Sequence, residues 1–294
     1  MGGHLARPRG VGHRFLVSRI VVVGSVNLDL VARVPRLPGS GETLAATALH
    51  RVPGGKGANQ ALAARRLGAE VALVAAVGDD PVADEALGLL GVGGVDLSGV
   101  RTVAGVFTGH ALIAVDDAGE TTIVIAAGAN SALTVEAGDV RGADAVLTVL
   151  EVPDTAVAAA VEHATGFVVL TAAPPRPVAP SVLRRADLVV VNRAEFAALD
   201  GLDVARMVAV THSADGAVLR RDGREVARAA PPPVTAVDGT AAGDAFTAAL
   251  TVALLDGASD ADALRFACAA GALAVSRAGA QPSLPTFADV AALS

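Results

Sequence analysis

Short apolar runs of strand length alternate with Ala-rich stretches of helical spacing along most of this chain. That alternation limits the fold more than any single residue does. Ile20–Val23 is a continuous β-branched run ending at Gly24, the pattern of a strand buried on both faces. Residues 56–67 are Ala-rich with apolar residues at helical spacing, and Gly68 follows where a C′ glycine belongs. Val71–Val77 is the next buried strand, and 81–90 predicts a helix with Pro81 in its first turn. Ala145–Val149, Phe167–Leu170, Leu188–Val191 and Met207–Val210 are further strand-like runs, the first three separated by helical stretches at 154–164 and 178–186. Two long Ala-rich helices, about 242–256 and 259–277, close the pattern. The result is an α/β class: a mostly parallel sheet with helices on both faces.

Two segments break the alternation. Residues 106–115 and 121–126 flank Asp116-Asp117-Ala118-Gly119-Glu120 and predict a hairpin. The Pro-containing segment 31–53 does not fit the alternation either. Together they predict a small β-sheet beside the main one, where a lid could sit.

Composition narrows the function. The chain has 294 residues, 52% of them hydrophobic, with no Trp or Tyr and 7 Phe, so its core is Ala, Val and Leu and disorder is excluded. A net charge of −7 and the lack of an aromatic stacking platform argue against nucleic acid as a partner. Cys268 is the single cysteine and has no internal disulfide partner, which fits a reducing, cytoplasmic compartment. No apolar run approaches the ~18 residues of a membrane helix, so no membrane partner is expected. Residues 1–28 lack Asp and Glu, while Arg7, Arg9, Arg14 and Arg19 crowd the start, with only Phe15-Leu16-Val17 as an apolar stretch. A signal peptide needs a longer apolar region. Residues 1–18 are therefore set apart as a loose extension, and 19–294 as one domain.

Several generic motifs fail. Lys56 is followed by Gly57, so there is no Walker A sequence, and Gly24-Ser25-Val26-Asn27-Leu28-Asp29 is not a dinucleotide fingerprint. The histidines form no His-x-x-x-His pair, and no Gly-x-Ser-x-Gly elbow occurs.

Four constellations remain. Asn27 and Asp29 lie just past the first strand, and at i and i+2 in extended chain they point the same way, as a polyol-binding pair would. An Asx-turn is the plainer explanation of that pair. Gly54-Gly55-Lys56-Gly57-Ala58-Asn59 opens a helix and holds the chain's lone lysine among 23 basic residues. A site demanding a compact ammonium resists replacement by the bulkier guanidinium; a flexible loop and chance placement are the competing account. Asn192 and Glu195, at i and i+3, suit a hydrated magnesium–phosphate unit, and an exposed helix start explains them equally well. Asp238-Gly239-Thr240-Ala241-Ala242-Gly243-Asp244 precedes a long helix whose bare N–H groups form an anion pocket, with Asp244 placed to accept a proton. The competing account of Asp244 is a first-turn carboxylate that satisfies the helix dipole.

With these segments in order the chain resembles the ribokinase-like (PfkB-type) sugar kinases over about residues 20–290. Ala127-Gly128-Ala129-Asn130, Leu150-Glu151-Val152-Pro153 and Arg277-Ala278-Gly279-Ala280-Gln281-Pro282-Ser283 add to the match. The resemblance implies a doubly wound α/β domain with a β lid drawn from about 31–53 and 106–127. It implies transfer of the ATP γ-phosphoryl group to a sugar hydroxymethyl, with ribose the first expectation. Another pentose, a ketose or a nucleoside, or a sugar-binding homologue with an impaired ATP site, are the alternatives. By position, Asp244 takes the place of the base and Ala241, Ala242, Gly243 and Asp244 that of the anion hole. Asn27, Asp29, Gly55, Lys56, Gly57, Asn59 and Glu151 take the sugar-binding places. Asn192, Glu195, Thr211, Ser213, Asp215, Gly216, Gly243 and Cys268 fall on the nucleotide side, with Mg2+ near Asn192 and Glu195. Asp238, Thr240, Ala274, Arg277, Gly279 and Ser283 fall on a loop site for a monovalent cation, usually K+. A homodimer through the lid is the family's expectation.

Departures from the family pattern gather on the nucleotide side. The usual Asp-Thr is Asp238-Gly239, and a Thr-Leu-Gly-x-x-Gly segment is Thr211-His212-Ser213-Ala214-Asp215-Gly216. An Asn-Pro strand end is Thr171-Ala172. Between Gly201 and Met207 there is room for about one turn where relatives insert a helix, so either an unusual connection or an uncovered sheet edge is expected.

Overall fold

A computed structural model describes residues 17–293. The expectation for 1–18 falls almost wholly outside them. From Arg19 the chain forms β1 (Arg19–Val23), β2 (Asn27–Arg33), β3 (Ala48–Gly54), α1 (Lys56–Arg66), β4 (Glu70–Gly78), α2 (Pro81–Val92) and β5 (Val100–Val103). There follow β6 (Gly109–Val115), β7 (Thr121–Ala126), β8 (Ala145–Val149), α3 (Asp154–His163), β9 (Phe167–Thr171), α4 (Pro180–Arg185) and β10 (Leu188–Asn192). The last elements are α5 (Arg193–Ala198), β11 (Met207–Thr211), β12 (Ala217–Arg221), β13 (Arg224–Ala229), α6 (Ala242–Leu255), α7 (Asp260–Val275) and α8 (Phe287–Ala291).

The described residues build a nine-stranded sheet, ordered β13-β12-β11-β10-β9-β8-β1-β4-β5, and a four-stranded sheet, β3-β2-β6-β7. In the large sheet the pairs from β11 to β5 are parallel and β12–β13 is an antiparallel hairpin at one edge. Strand order reverses at β1, which lies between β4 and β8. The crevice for a ligand opens at the C-terminal ends of strands beside such a reversal. Both faces are covered. Ile20 and Val22 pack into one core with α1, α6 and α7, and Val21 and Val23 into the other with α3 and α4. A run buried on both sides has to be apolar at every position, which is why Ile20–Val23 shows no alternation. Among the described residues no helix is long and apolar enough to cross a membrane.

The small sheet differs from expectation at its start. Its first strand is β2, beginning at Asn27 rather than near residue 31, and it pairs with β3 antiparallel and β6 in parallel. The strand predicted from 106 begins at Gly109. A polar pin fixes that entry: Asp80 caps α2 through Val82 and Ala83 N–H at 3.1 Å and also accepts from Thr108 N at 2.7 Å and Oγ1 at 2.8 Å. Thr108 Oγ1 in turn accepts from Gly78 N, so lid and main sheet share one buried hydroxyl.

The Gly201–Met207 gap also resolves differently. The parallel crossover from β10 to β11 runs from 193 to 206 and contains α5 and a 3₁₀ turn at Leu202–Val204, enough for a right-handed return. Leu202 and Ala205 still cover the end of β11, but α5 has no buried residue and Phe196 stands 37% exposed. The hairpin β12–β13 was not anticipated. Its turn is Asp222-Gly223, both at positive φ (48° and 76°), the Asp-Gly signature of a tight hairpin hidden between arginines.

Candidate active site

The site lies where β1, β2, α1, β8 and the start of α6 meet. Gly24 and Gly57 bring β1 and α1 together: a Cβ on Gly24 would stand 2.7 Å from Gly57 Cα. Gly55 precedes the helix at φ 88°, and a Cβ there would stand 2.8 Å from Ser25 O and from Asn27 N, so no side chain fits. That approach sets Lys56 at the first turn of α1 and Asn59 and Gln60 one turn later.

Asn27 and Asp29 occupy alternate positions of β2 and share one face of the lid sheet, in extended chain and not in an Asx-turn. By register Asp29, Ala111 and Ile125 form one row on that face, so the apolar end of β7 stands over the same cleft. Asn130 locks the start of β2: its amide bonds Val26 N at 2.9 Å and Val26 O at 3.1 Å and donates to Asn27 Oδ1 at 2.8 Å. Glu151 follows β8. One of its carboxylate oxygens accepts from Ser25 Oγ and, at 3.1 Å, from Lys56 N, so it caps α1 from across the sheet.

Asp244 sits in the first turn of α6, 6% exposed. Its Oδ2 accepts from Asn59 Nδ2 at 2.9 Å and its Oδ1 from Gln60 Nε2 at 3.0 Å. The N–H groups beside it are bare. Ala242 N reaches Gly239 O only at 3.4 Å, and Gly243 and Asp244 N–H have no hydrogen-bond partner among the described residues. An unpaired helix start of fourteen residues offers those donors to an anion. Ala241 holds the turn at φ 61°, a left-handed conformation that costs an L-residue about 1–2 kcal/mol.

Charge is concentrated here. Burial first, then the carboxylates of Glu151 and Asp244, push Asp29 up to about 7 against the opposing charge of Lys56. Burial also raises Asp244, against Lys56, Gln60 and Asn59, which favour its ionised form. Burial works against the charge on Lys56, but Asp244, Glu151, Glu195 and Asp29 together hold the ammonium above its usual range. Three buried acceptors of this site, Asp29 Oδ1, Asn59 Oδ1 and Gln60 Oε1, have no hydrogen-bond partner among the described residues. Buried acceptors are rarely left unmatched, and a water or a ligand hydroxyl can supply the missing donor.

The nucleotide-side residues are less enclosed. Asn192 lies outside α5 as its N-cap rather than on a shared helix face: it accepts from Glu195 N at 2.8 Å, and Glu195 Oε2 accepts from Asn192 N at 2.7 Å. Thr211 ends β11. Ser213 follows at φ 52°, where the family pattern has glycine, and Asp215 pairs with Arg193 at 3.4 Å. Gly216 is required by packing, since a Cβ there would meet Ala229 O at 2.0 Å. Cys268 is a core residue: its thiol faces Ala229 O at 3.7 Å, and burial pushes it up to about 11.

The cation-loop residues are drawn together by backbone bonds. Val275 O accepts from both Val237 N and Asp238 N, and Asp238 Oδ2 accepts from Gly279 N at 2.9 Å. Asp238 Oδ1 takes Thr240 N and Oγ1, and Ser283 Oγ donates to Ala280 O. Arg277 turns its guanidinium to Asp289, so only its carbonyl could serve a cation. Among the described residues no group of three or more His, Cys, Asp or Glu is placed to hold a metal ion. Sequence reasoning gave no role to Ser25, Gln60, Asn130 or Thr171. The signal for Gln60 was a polar side chain inside an Ala-rich helix whose remaining residues from Gly57 to Ala64 are buried.

A doubly wound sheet with a β lid, one buried carboxylate at a bare helix start and a lysine facing it define a phosphoryl-transfer site of the carbohydrate-kinase class. Residues 17–287 match the family described as pfkB family carbohydrate kinase, and the chain belongs to that family. It is 35% identical over 293 residues to the ribokinase of Haemophilus influenzae, covering 91% of this chain and 95% of that one. It is 35% identical to an ATP-dependent ribose-1-phosphate kinase of Halopiger xanaduensis, covering 93% and 97%. The structure of Arabidopsis thaliana ribokinase complexed with ribose and ATP superposes with a TM-score of 0.86 at 31% identity, covering 95% of this chain and 99% of that one.

Proposed function

We propose that the chain is an ATP-dependent ribokinase that phosphorylates the hydroxymethyl group of ribose. The observation that carries this reading is the set of unpartnered buried acceptors, Asp29 Oδ1 and Asn59 Oδ1, beside the carboxylate of Asp244. A polyol supplies hydroxyl donors to those acceptors and leaves one hydroxyl for Asp244. Asn27, whose oxygen is engaged by Asn130, offers its N–H2 to the sugar.

Asp244 takes the proton of the attacking hydroxyl. The new O–P bond forms as the bridging P–O bond to ADP breaks. The N–H groups of Gly243 and Asp244 and the ammonium of Lys56 meet the charge that develops on the phosphoryl oxygens. Asp244 is buried with both oxygens held, so the enzyme's contribution is positioning and electrostatics rather than covalent chemistry.

Magnesium fits the donor set in a limited way. Glu195 Oε1 stays outside the capping box and is the carboxylate oxygen that a hydrated, phosphate-bound Mg2+ would use; the ion supplies charge neutralisation of the triphosphate when bound. Carbonyls of 274, 277 and 279 with Asp238 and Ser283 offer oxygen donors to K+. Leu49, Leu112 and Val124 stand exposed on the lid face opposite the Asp29 row, and burying them against a second lid supports a homodimer. With one buried thiol, a cytoplasmic setting is the reading adopted.

The test is an ADP-release assay with ribose, ribose 1-phosphate, other pentoses, a ketose and nucleosides, in potassium and in sodium. Ribose is expected to give the highest kcat/KM and potassium the higher rate. A tenfold preference for ribose 1-phosphate or a nucleoside replaces the acceptor. Calorimetric sugar binding with no affinity for an ATP analogue replaces the kinase with a sugar-binding protein.

A further inference from the structure

Gln60 is fully buried and bridges β9 and α6 from its place on α1. Its Nε2 donates to Asp244 Oδ1 at 3.0 Å and to Thr171 Oγ1 at 3.0 Å, while its Oε1 has no partner. Thr171 ends β9 at the C-terminal edge of the sheet and is 8% exposed. An amide nitrogen has two hydrogens, and here each has one oxygen to meet. The opposite flip of the amide would face an oxygen with the carboxylate, so Thr171 and Asp244 together fix which end points inward.

We infer that Gln60 and Thr171 form a positioning relay that holds the Asp244 carboxylate in its reactive orientation and keeps it ionised. This rests on Asp244 being the base. The relay leaves one Asp244 oxygen to Gln60 and the other to Asn59, both from α1, so the plane of the carboxylate is set by that helix. The charged groups facing it are Lys56 on α1, Asp29 on β2 and Glu151 after β8. With two acids and one cation nearby, neutral amide donors stabilise the ionised form without adding a competing charge. A hydrogen bond to the charged form favours it, so losing that bond raises the pH at which the base becomes available.

The experiment measures kcat and sugar KM from pH 5 to 9 for the wild type, Gln60→Leu, Thr171→Val and Asp244→Asn, with thermal melts of each. The acid limb is expected to move upward by about one to two pH units in Gln60→Leu, and less but in the same direction in Thr171→Val. In both, kcat should fall more than sugar KM changes. If Gln60→Leu does not fold, Thr171→Val carries the test, because it keeps the shape of the side chain and removes only the hydroxyl. Unshifted acid limbs in folded variants, with Asp244→Asn inactive, overturn the relay and leave the base assignment standing. An active Asp244→Asn overturns the base assignment itself.

Discussion

The proposed sugar side and the proposed nucleotide side of this molecule are built by different means. On the sugar side Asn27, Asp29, Asn59, Gln60 and Asp244 are buried, and their amides and carboxylates are tied across α1, β2, β8, β9 and α6. On the nucleotide side Asn192 and Glu195 satisfy only each other's backbone, Arg193 and Asp215 form an exposed pair, and α5 buries nothing. Buried polar groups have to be matched one for one, so each sugar-side residue constrains several others. Exposed groups exchange protein for water at little cost, so the nucleotide side tolerates substitution.

The contrast is broken most strongly at the base. Asp244→Asn should lower kcat by about 10³-fold with calorimetric sugar binding retained. Asn is the preferred substitution, since truncation to Ala would leave the amides of both Asn59 and Gln60 unpaired. A variant within tenfold of wild type would remove the sugar side's claim to the chemistry. Lys56→Arg preserves charge but not shape, and should lower kcat by roughly 10- to 100-fold. Equal turnover would mark the lone lysine as interchangeable.

Asp29 sharpens the comparison through pH. Its pKa is raised by burial from 3.8 to about 7, so the folded apo chain takes up that proton more readily than the unfolded one. Its contribution is therefore fully present below about pH 4 and is lost as pH rises through 7. Asp29→Asn should raise the melting temperature of the apo protein at pH 8 and weaken sugar binding by about tenfold. A melting temperature that falls at pH 8 would contradict that burial cost. Ser213→Gly is the smallest test: relieving the positive φ should raise the melting temperature by about 1–2 °C, offset in part by backbone entropy, with sugar KM unchanged. A lower melting temperature would show that Ser213 has a role of its own.

Legibility in the sequence followed the same division. The strands Ile20–Val23, Ala145–Val149 and Leu188–Val191 were readable because burial on both faces leaves almost only apolar residues. The edge hairpin β12–β13 was not, because Arg220, Arg221 and Arg224 mask its alternation. Asp244 and Lys56 stood out by their glycine-rich surroundings. Gln60 and Thr171 did not, since a hydrogen bond spanning 111 residues leaves no local pattern. The surroundings of Cys268 were not legible either, because position along α7 does not say which way the helix is turned; α7 turns this thiol to Ala229.

The contact between Gly24 and Gly57 has a consequence for the descent of such a chain. A Cβ at either position would lie within 2.7 Å of the other's backbone. Any single side chain at this pair forces β1 and α1 apart, and a second one at its partner only adds to the clash. The lid and pocket walls are therefore the cheaper places to alter acceptor preference, since changes there leave the strand–helix joint closed.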